Sequence, residues 1–259
     1  MSNEILDQVK VLYEDTDCAV IYKPAGLMVH ADGRSEGPFL TDWVLKKYPE
    51  AAMVGETILT PDGTVIQRPG IVHRLDRETS GALLIARTSA GHESLKQQFK
   101  DRTIQKKYLA FVWGELTEEF GTINRPIGRS GKDFRRWSAQ RGMRGEMRDA
   151  ETYWTRIGTG SVEIPASNNP SGMEKFTLLE AQPKTGRTHQ IRVHFLAIQH
   201  PVVSDPLYAA GKPKALGFER TALHANSIEF ADLKGKQVKV IAPVPQDFLE
   251  AAKILNIKL

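Results

Sequence analysis

Ala82-Leu83-Leu84-Ile85-Ala86 is the stretch that most limits what this chain can become. It is an unbroken apolar run, too short for a helix and bounded by Gly81 on one side and Arg87-Thr88-Ser89 on the other, so it reads as a strand buried inside a sheet. A chain that buries such a strand must supply neighbours for it, and the sequence offers several. Val11-Leu12-Tyr13 and Ala19-Val20-Ile21-Tyr22 read as two strands split by an acidic turn at residues 14–17, and Lys23-Pro24-Ala25-Gly26 is a sharp stop. Tyr108 to Trp113, a strand opening at Tyr153-Trp154, Phe176 to Ala181, Leu223-Ala225 with Ile228-Phe230, and Val238 to Ile241 are further candidates. Helices are fewer. Leu40, Val44 and Tyr48 fall at helical spacing before Pro49, and Ser89 can cap a helix to about Lys100 with Leu95 and Phe99 on one face. Thr188 can cap a short helix carrying Ile191, His194, Phe195 and Ile198, which Pro201 ends, and residues 247–255 form a last one. Residues 49–70 read as loop with a hairpin turn at Pro61-Asp62-Gly63, and residues 158–175 and 211–220 read as loops. Many strands with scattered helices predict an α+β fold, a single domain over residues 1–259 around a mostly antiparallel mixed β-sheet with flanking helices.

The remaining composition narrows the class. No apolar run approaches the length of a bilayer span, and the first residues lack the apolar core of a signal peptide, so no membrane is expected and the cytoplasm is the default compartment. Cys18 is the single cysteine, which excludes an intrachain disulfide or a cysteine-built metal site. The net charge of +4 is unevenly placed. Between Arg125 and Arg148, eight cations that include Arg129, Arg135 and Arg136 face only Asp133 and Glu146, a net of +6. Glycines at 128, 131, 142 and 145 make the segment look like a turn-rich loop, and Phe134 and Trp137 lie inside it. Such a stretch suits a nucleic-acid backbone with aromatics available for stacking; a solvated basic surface loop is the plainer alternative.

Two clusters are chemically dense. His73-Arg74-Leu75-Asp76-Arg77-Glu78-Thr79-Ser80-Gly81 is a polar loop feeding the buried strand. Asp76 between two arginines should stay ionised, fit to act as nucleophile or base, and the arginines suit a phosphate-bearing substrate; a structural ion pair is the alternative. In Lys184-Thr185-Gly186-Arg187-Thr188-His189-Gln190-Ile191-Arg192, Gly186 sits where a strand turns into a helix. Free N–H groups there, with Arg187, make an anion site. Arg192 borders the buried stripe and needs a carboxylate, for which Asp76 is a sensible partner. Here too an ordinary amphipathic surface helix is the alternative.

Taken in order, these residues resemble the RNA pseudouridine synthases of the RluA type. His73-Arg74-Leu75-Asp76 with Thr79-Ser80-Gly81 resembles the family signature, Tyr22 to Leu27 with Val29-His30 its first motif, and Lys107-Tyr108-Leu109-Ala110 with Lys106 its Lys-x-Tyr-x-Ala strand. Arg125 to Arg129, Thr185 to His194, His200-Pro201 to Asp205 and Leu223 to Ala225 match further stretches, spanning residues 11 to about 245. Ser204 stands where the family usually has Gly. Many relatives carry an N-terminal S4-type RNA-binding domain; the first motif here begins by about residue 11, leaving no room for one.

The resemblance implies a pseudouridine synthase catalytic domain over residues 1–259 that isomerises uridine within ribosomal or transfer RNA. The N-glycosidic bond breaks, the base rotates, and C5 joins the ribose C1′. RNA is the implied partner, a monomer fits, and neither cofactor nor metal is implied. Asp76 would be the essential carboxylate, attacking the sugar or the base or removing a ribose C2′ proton. Tyr108 would stack on the extruded uracil, and Arg192 would keep Asp76 ionised. Arg74, with His73 beside it, would fill the gap left by the uridine. Lys23, Arg187 and Lys184 would contact phosphates, and the segment with Arg129, Arg135 and Arg136 would help to hold the RNA. Two other classes are a glycoside hydrolase using Asp76 and Glu78, which sit too close in sequence to flank a scissile bond, and a non-catalytic RNA-binding module.

Overall fold

The computed structural model describes residues 4–33, 35–59, 63, 65–165, 169 and 171–259. Along the chain run β1 (Lys10–Glu14), β2 (Cys18–Lys23), α1 (Leu40–Lys47), β3 (Gly55–Leu59), β4 (Val65–Pro69), β5 (Ser80–Ala86), α2 (Ser89–Lys100) and β6 (Gln105–Trp113). There follow β7 (Phe120–Asn124), β8 (Ile127–Ser130), β9 (Trp137–Ser138), β10 (Met143–Arg148), β11 (Glu151–Glu163) and β12 (Met173–Pro183). The chain continues with α3 (Gln190–Ala197), β13 (Leu223–Ala231), β14 (Gln237–Ile241) and α4 (Gln246–Ile254). Sheets and helices together give the expected α+β class. The chain gathers into two compact units, Met1–Lys106 with Ala225–Pro243, and Lys107–His224 with Val244–Leu259. Among the described residues no helix is long and apolar enough to cross a membrane.

In the first unit the strands run β1-β2-β5-β13, with β14 on β13. Every residue of β5 is buried, as its unbroken apolar run requires, and β2 pairs with it antiparallel from Cys18↔Ala86 to Lys23↔Gly81. Leu40 and Val44 of α1 and Leu95 of α2 add to the core. The helix α2 is capped by Thr88, whose hydroxyl accepts the Gly91 N–H at 3.1 Å, and Ser89 is its first residue rather than its cap. Residues 49–70, expected to be loop, hold a short 3-10 turn at Pro49–Met53 and the antiparallel hairpin β3–β4. Of the hairpin turn placed at 61–63, residues 61 and 62 lie outside the described residues.

In the second unit β6, β12, β11 and β7 form an antiparallel array. Its core is aromatic: Phe111, Phe218 and Phe248 meet at centroid distances of 5.1–5.6 Å. Two expectations are corrected. Much of residues 158–175 is not loop, because β11 and β12 stay paired out to Glu163↔Met173. The glycines that weaken the strand signal are there for clearance: a Cβ on Gly158 would lie 2.8 Å from Ile257 Cγ2, and one on Gly160 2.7 Å from the Leu255 carbonyl oxygen. The basic segment is likewise not a loop but a three-stranded sheet in the order β10-β8-β9. Ile127 and Ala139 under this sheet pack with Ala150, Val193, Ala197 and Tyr208. Strand β7 had no counterpart in the sequence reading.

Candidate active site

The loop before β5 is fixed at several points inside the first unit. Gly81 has φ +117°, and a Cβ there would stand 2.2 Å from the Ala225 carbonyl oxygen, so only glycine lets the loop enter the strand so close to β13. The His73 Nε2 accepts the Leu84 N–H at 2.9 Å, and its ring rests on Phe99 at 4.9 Å. Burial, and then the nearby Lys106 charge, pushes the His73 pKa down to about 3, so at neutral pH the ring is neutral and its Nδ1 carries the proton. Its geometry is that of an anchor for the loop. The Thr79 N–H closes a turn on the Asp76 carbonyl at 3.1 Å, with Leu75 and Thr79 buried on either side. Asp76 is half-buried between these supports, and Arg74 is exposed.

Lys23 is fully buried, and its ammonium donates to the carbonyls of Pro24, Leu27 and Arg77 at 2.9, 2.8 and 3.1 Å. Phosphate contact was expected of it; with three donors directed at backbone carbonyls, it ties the turn after β2 to the Asp76 loop instead. Gly26 N–H to Arg77 carbonyl at 2.8 Å and Arg77 Nε to Gly26 carbonyl at 3.0 Å complete that join. Cations dominate nearby. Burial and the Arg74 charge lower the Arg68 pKa, and the His30 pKa is lowered by burial and by both arginines. The half-buried Lys106 ammonium lies 5.6 Å from the Phe99 ring centre, its pKa pushed down to about 8 by burial.

In the second unit Tyr108 is buried on β6, opposite Ala181 of β12. The α3 helix is buried on nearly every side rather than along one stripe. Its N-cap is His189 at φ +56°, not Thr188, and it makes no side-chain cap bond. Gln190 does the local work. Its Oε1 accepts the Arg187 N–H at 3.0 Å and the Thr185 hydroxyl at 2.7 Å, while its amide nitrogen donates to the Glu151 carbonyl and the Thr152 hydroxyl. The Arg187 N–H expected to meet an anion is therefore already bonded, and Arg187 Nε donates to the Asp149 carbonyl at 3.1 Å. Lys184 lies over the Tyr153 ring at 5.2 Å. His194 is wholly buried: its Nε2 donates to the Arg125 carbonyl and its Nδ1 accepts the Thr152 hydroxyl, which makes it structural.

Arg192 does meet a carboxylate inside its own unit, and that group is Asp205. Nε and Nη2 reach the two carboxylate oxygens at 2.6 and 2.9 Å, both side chains being buried. Asp205 Oδ1 also accepts the N–H groups of Leu207 and Tyr208 at 2.9 and 3.0 Å, so the guanidinium is held in a two-pronged, charge-assisted grip. Ser204, in place of the usual glycine, takes φ +54°, the left-handed conformation that glycine adopts without strain. The sequence reading named Gln190 and Asp205 within its motifs but gave neither a role, and it did not name Tyr208.

On the basic sheet Arg129 stands opposite Arg144 across the β8–β10 pairing. The Arg129 guanidinium lies 4.3 Å from the Trp137 ring centre, so that aromatic is already covered, while Phe134 is exposed. Arg135 pairs with Asp133 at 2.9 Å. Like charges facing across strands are unfavourable unless an anion joins them.

These features describe an ionisable carboxylate on a rigid loop, a locked guanidinium, and a cationic sheet suited to a polyphosphate strand. The model of the RNA pseudouridylate synthase family matches residues 17–197. An RNA pseudouridine synthase of Bacillus subtilis is 35% identical, over 95% of this chain and 72% of its own length. The ribosomal large subunit pseudouridine synthase D of Xanthomonas campestris is 36% identical, over 92% of this chain and 67% of its own. Among solved structures, the human RNA pseudouridylate synthase domain containing 1 superposes with a TM-score of 0.70 at 25% identity, covering 93% of this chain and 85% of that one. The chain belongs to the RNA pseudouridylate synthase family, isomerases that act on uridines within RNA.

Proposed function

We propose that Asp76 is the carboxylate that carries the isomerisation, with Tyr108 against the uracil and Arg192 supplying the fixed positive charge. The observation that carries this reading is the Asp76 loop itself: a half-buried carboxylate on a turn held by His73, Lys23 and Gly81 inside a matched family segment. Preorganised support of that kind is what a nucleophile or base needs, since small misplacements are costly in rate. Glycosidic cleavage, rotation of the base and bonding of C5 to C1′ need no group donor. Arg74 takes the place of the extruded uridine. The sheet β8–β10 holds the RNA backbone through Arg129 and Arg136, the neutral His73 and the clamped Lys23 serving as supports. Residues 1–259 work as one catalytic domain, in the cytoplasm and as a monomer.

The target is a uridine in ribosomal or transfer RNA. The name of the Xanthomonas relative favours ribosomal RNA. The test maps pseudouridine at nucleotide resolution in total RNA from cells with and without the gene, complemented by wild type or Asp76→Asn. A uridine that loses its modification and regains it only with Asp76 intact is the expected result. Restoration by Asp76→Asn refutes the assignment.

A further inference from the structure

Tyr208 is a buried junction between three parts of the second unit. Its hydroxyl accepts the Trp137 N–H of β9 at 3.0 Å and hydrogen-bonds His189 Nδ1, at the start of α3, at 2.8 Å. Its own N–H binds Asp205 Oδ1 at 3.0 Å, the carboxylate that grips Arg192. Its ring lies beneath two guanidinium groups, Arg192 at 5.0 Å and Arg136 of the basic sheet at 5.3 Å. The Tyr208 side chain is 2% exposed, and the ring packs in the apolar cluster under that sheet.

The hydrogen-bond roles are constrained. A backbone N–H can only donate, so the tyrosine oxygen accepts from Trp137 while it also shares a hydrogen bond with His189 Nδ1. His189 holds a left-handed backbone conformation at φ +56°, which a non-glycine residue keeps only when its surroundings fix it. Trp137 stands opposite Arg129 in the β8–β9 pairing, and Arg129 covers its ring. Arg136 is half-buried, and no salt bridge to it is found among the described residues. An anionic strand bound by Arg129 and Arg136 would therefore pull on the two residues in contact with Tyr208, and Tyr208 contacts Arg192, Asp205 and His189.

We propose that Tyr208 is a positioning residue that links RNA engagement on the basic sheet to the placement of Arg192. This rests on the assignment of Arg192 to the reaction made above. It acts through Arg192 and Asp205 and does not touch the uridine.

The test uses the full chain and RNA from a strain lacking the gene, labelled with tritium at uridine C5; bonding of C5 to C1′ releases the label. Wild type, Asp76→Asn and Arg192→Gln are run first. Release by the first and little or none by the other two establishes the underlying reading independently of Tyr208. Tyr208→Phe keeps the ring and removes the hydroxyl. Its expected effect is a fall of about tenfold in rate at saturating RNA, with KM changed less than about twofold, measured well below a melting temperature that the lost hydrogen bonds lower only modestly. His189→Ala should lower the saturated rate similarly, and the double variant should be no slower than either single one, as for two ends of one hydrogen bond. An unchanged rate, a rise confined to KM, additive losses, or a rate loss that disappears when the assay is run further below the melting temperature would each overturn the proposal.

Discussion

Lowering the pH should loosen the Asp76 loop through His73, and the size of the effect follows from its surroundings. The imidazole accepts the Leu84 N–H through Nε2, and burial holds its folded pKa near about 3 against an ordinary 6.5. The unfolded chain therefore takes up the proton first, and stability falls as the pH drops from the unfolded value toward the folded one. Above about pH 6.5 the contribution is fully present. At about pH 5, some 1.5 units below the unfolded value, the loss is ~2 kcal/mol from this residue alone, at about 1.36 kcal/mol per unit. His224, also pushed down to about 3 by burial and the Arg220 charge, should behave in the same direction. The assay is urea unfolding of wild type and His73→Gln at a series of pH values. Glutamine can still accept the Leu84 N–H but does not titrate, so the surface carboxylates cancel in the difference. The stability gap between the two proteins should move by ~2 kcal/mol between about pH 7.5 and pH 5, in favour of the variant at acid pH. Parallel curves would show that His73 is not a buried neutral acceptor, and the account of the loop's anchoring would fail with it.

Other consequences are open to direct measurement. Gly81→Ala should cost about 2–4 kcal/mol in a thermal or urea melt, because the new Cβ meets the Ala225 carbonyl and the backbone conformation is wrong for alanine. Lys23→Met takes the ammonium from the buried carbonyls of Pro24 and Leu27 and one of two donors from that of Arg77, and should cost about 3 kcal/mol while slowing the reaction through the displaced loop; a stable, fully active variant would contradict the clamp. Replacing Arg129 and Arg144 together by Ser should lower the salt dependence of RNA binding by roughly two in log–log slope, read by filter binding at several ionic strengths.

What could be read from the sequence was what local pattern encodes. The apolar run 82–86 announced a buried strand, and the turn chemistry around Gly26 and Gly81 marked the joins. The far half of β11 escaped because Gly158 and Gly160 answer to the C-terminal residues lying on them, a contact made with residues nearly a hundred positions away. The basic sheet was read as loop for a related reason: its arginines and glycines satisfy charge and turns, while the apolar support comes from Val193, Ala197 and Tyr208 elsewhere in the chain. The cap of α3 was misplaced because no side chain caps this helix; Gln190 instead reaches back to hold the turn before it through the Arg187 N–H and the Thr185 hydroxyl. Arg192 plainly needed a carboxylate; which one it meets inside its unit is a matter of where the chain returns after Pro201.

The way the first unit is assembled bears on how the protein is made. Its sheet draws on residues 1–106 and again on 225–243, and the second unit is interrupted in the same manner by 225–243. During synthesis β5 emerges early but cannot be flanked by β13 until well over a hundred further residues have left the ribosome. Until then a strand whose seven residues are all buried in the finished protein presents an open edge. Neither unit can be obtained by cutting the chain once, so a nascent or truncated product stopping short of residue 225 should be a client for chaperones and proteases rather than a half-enzyme.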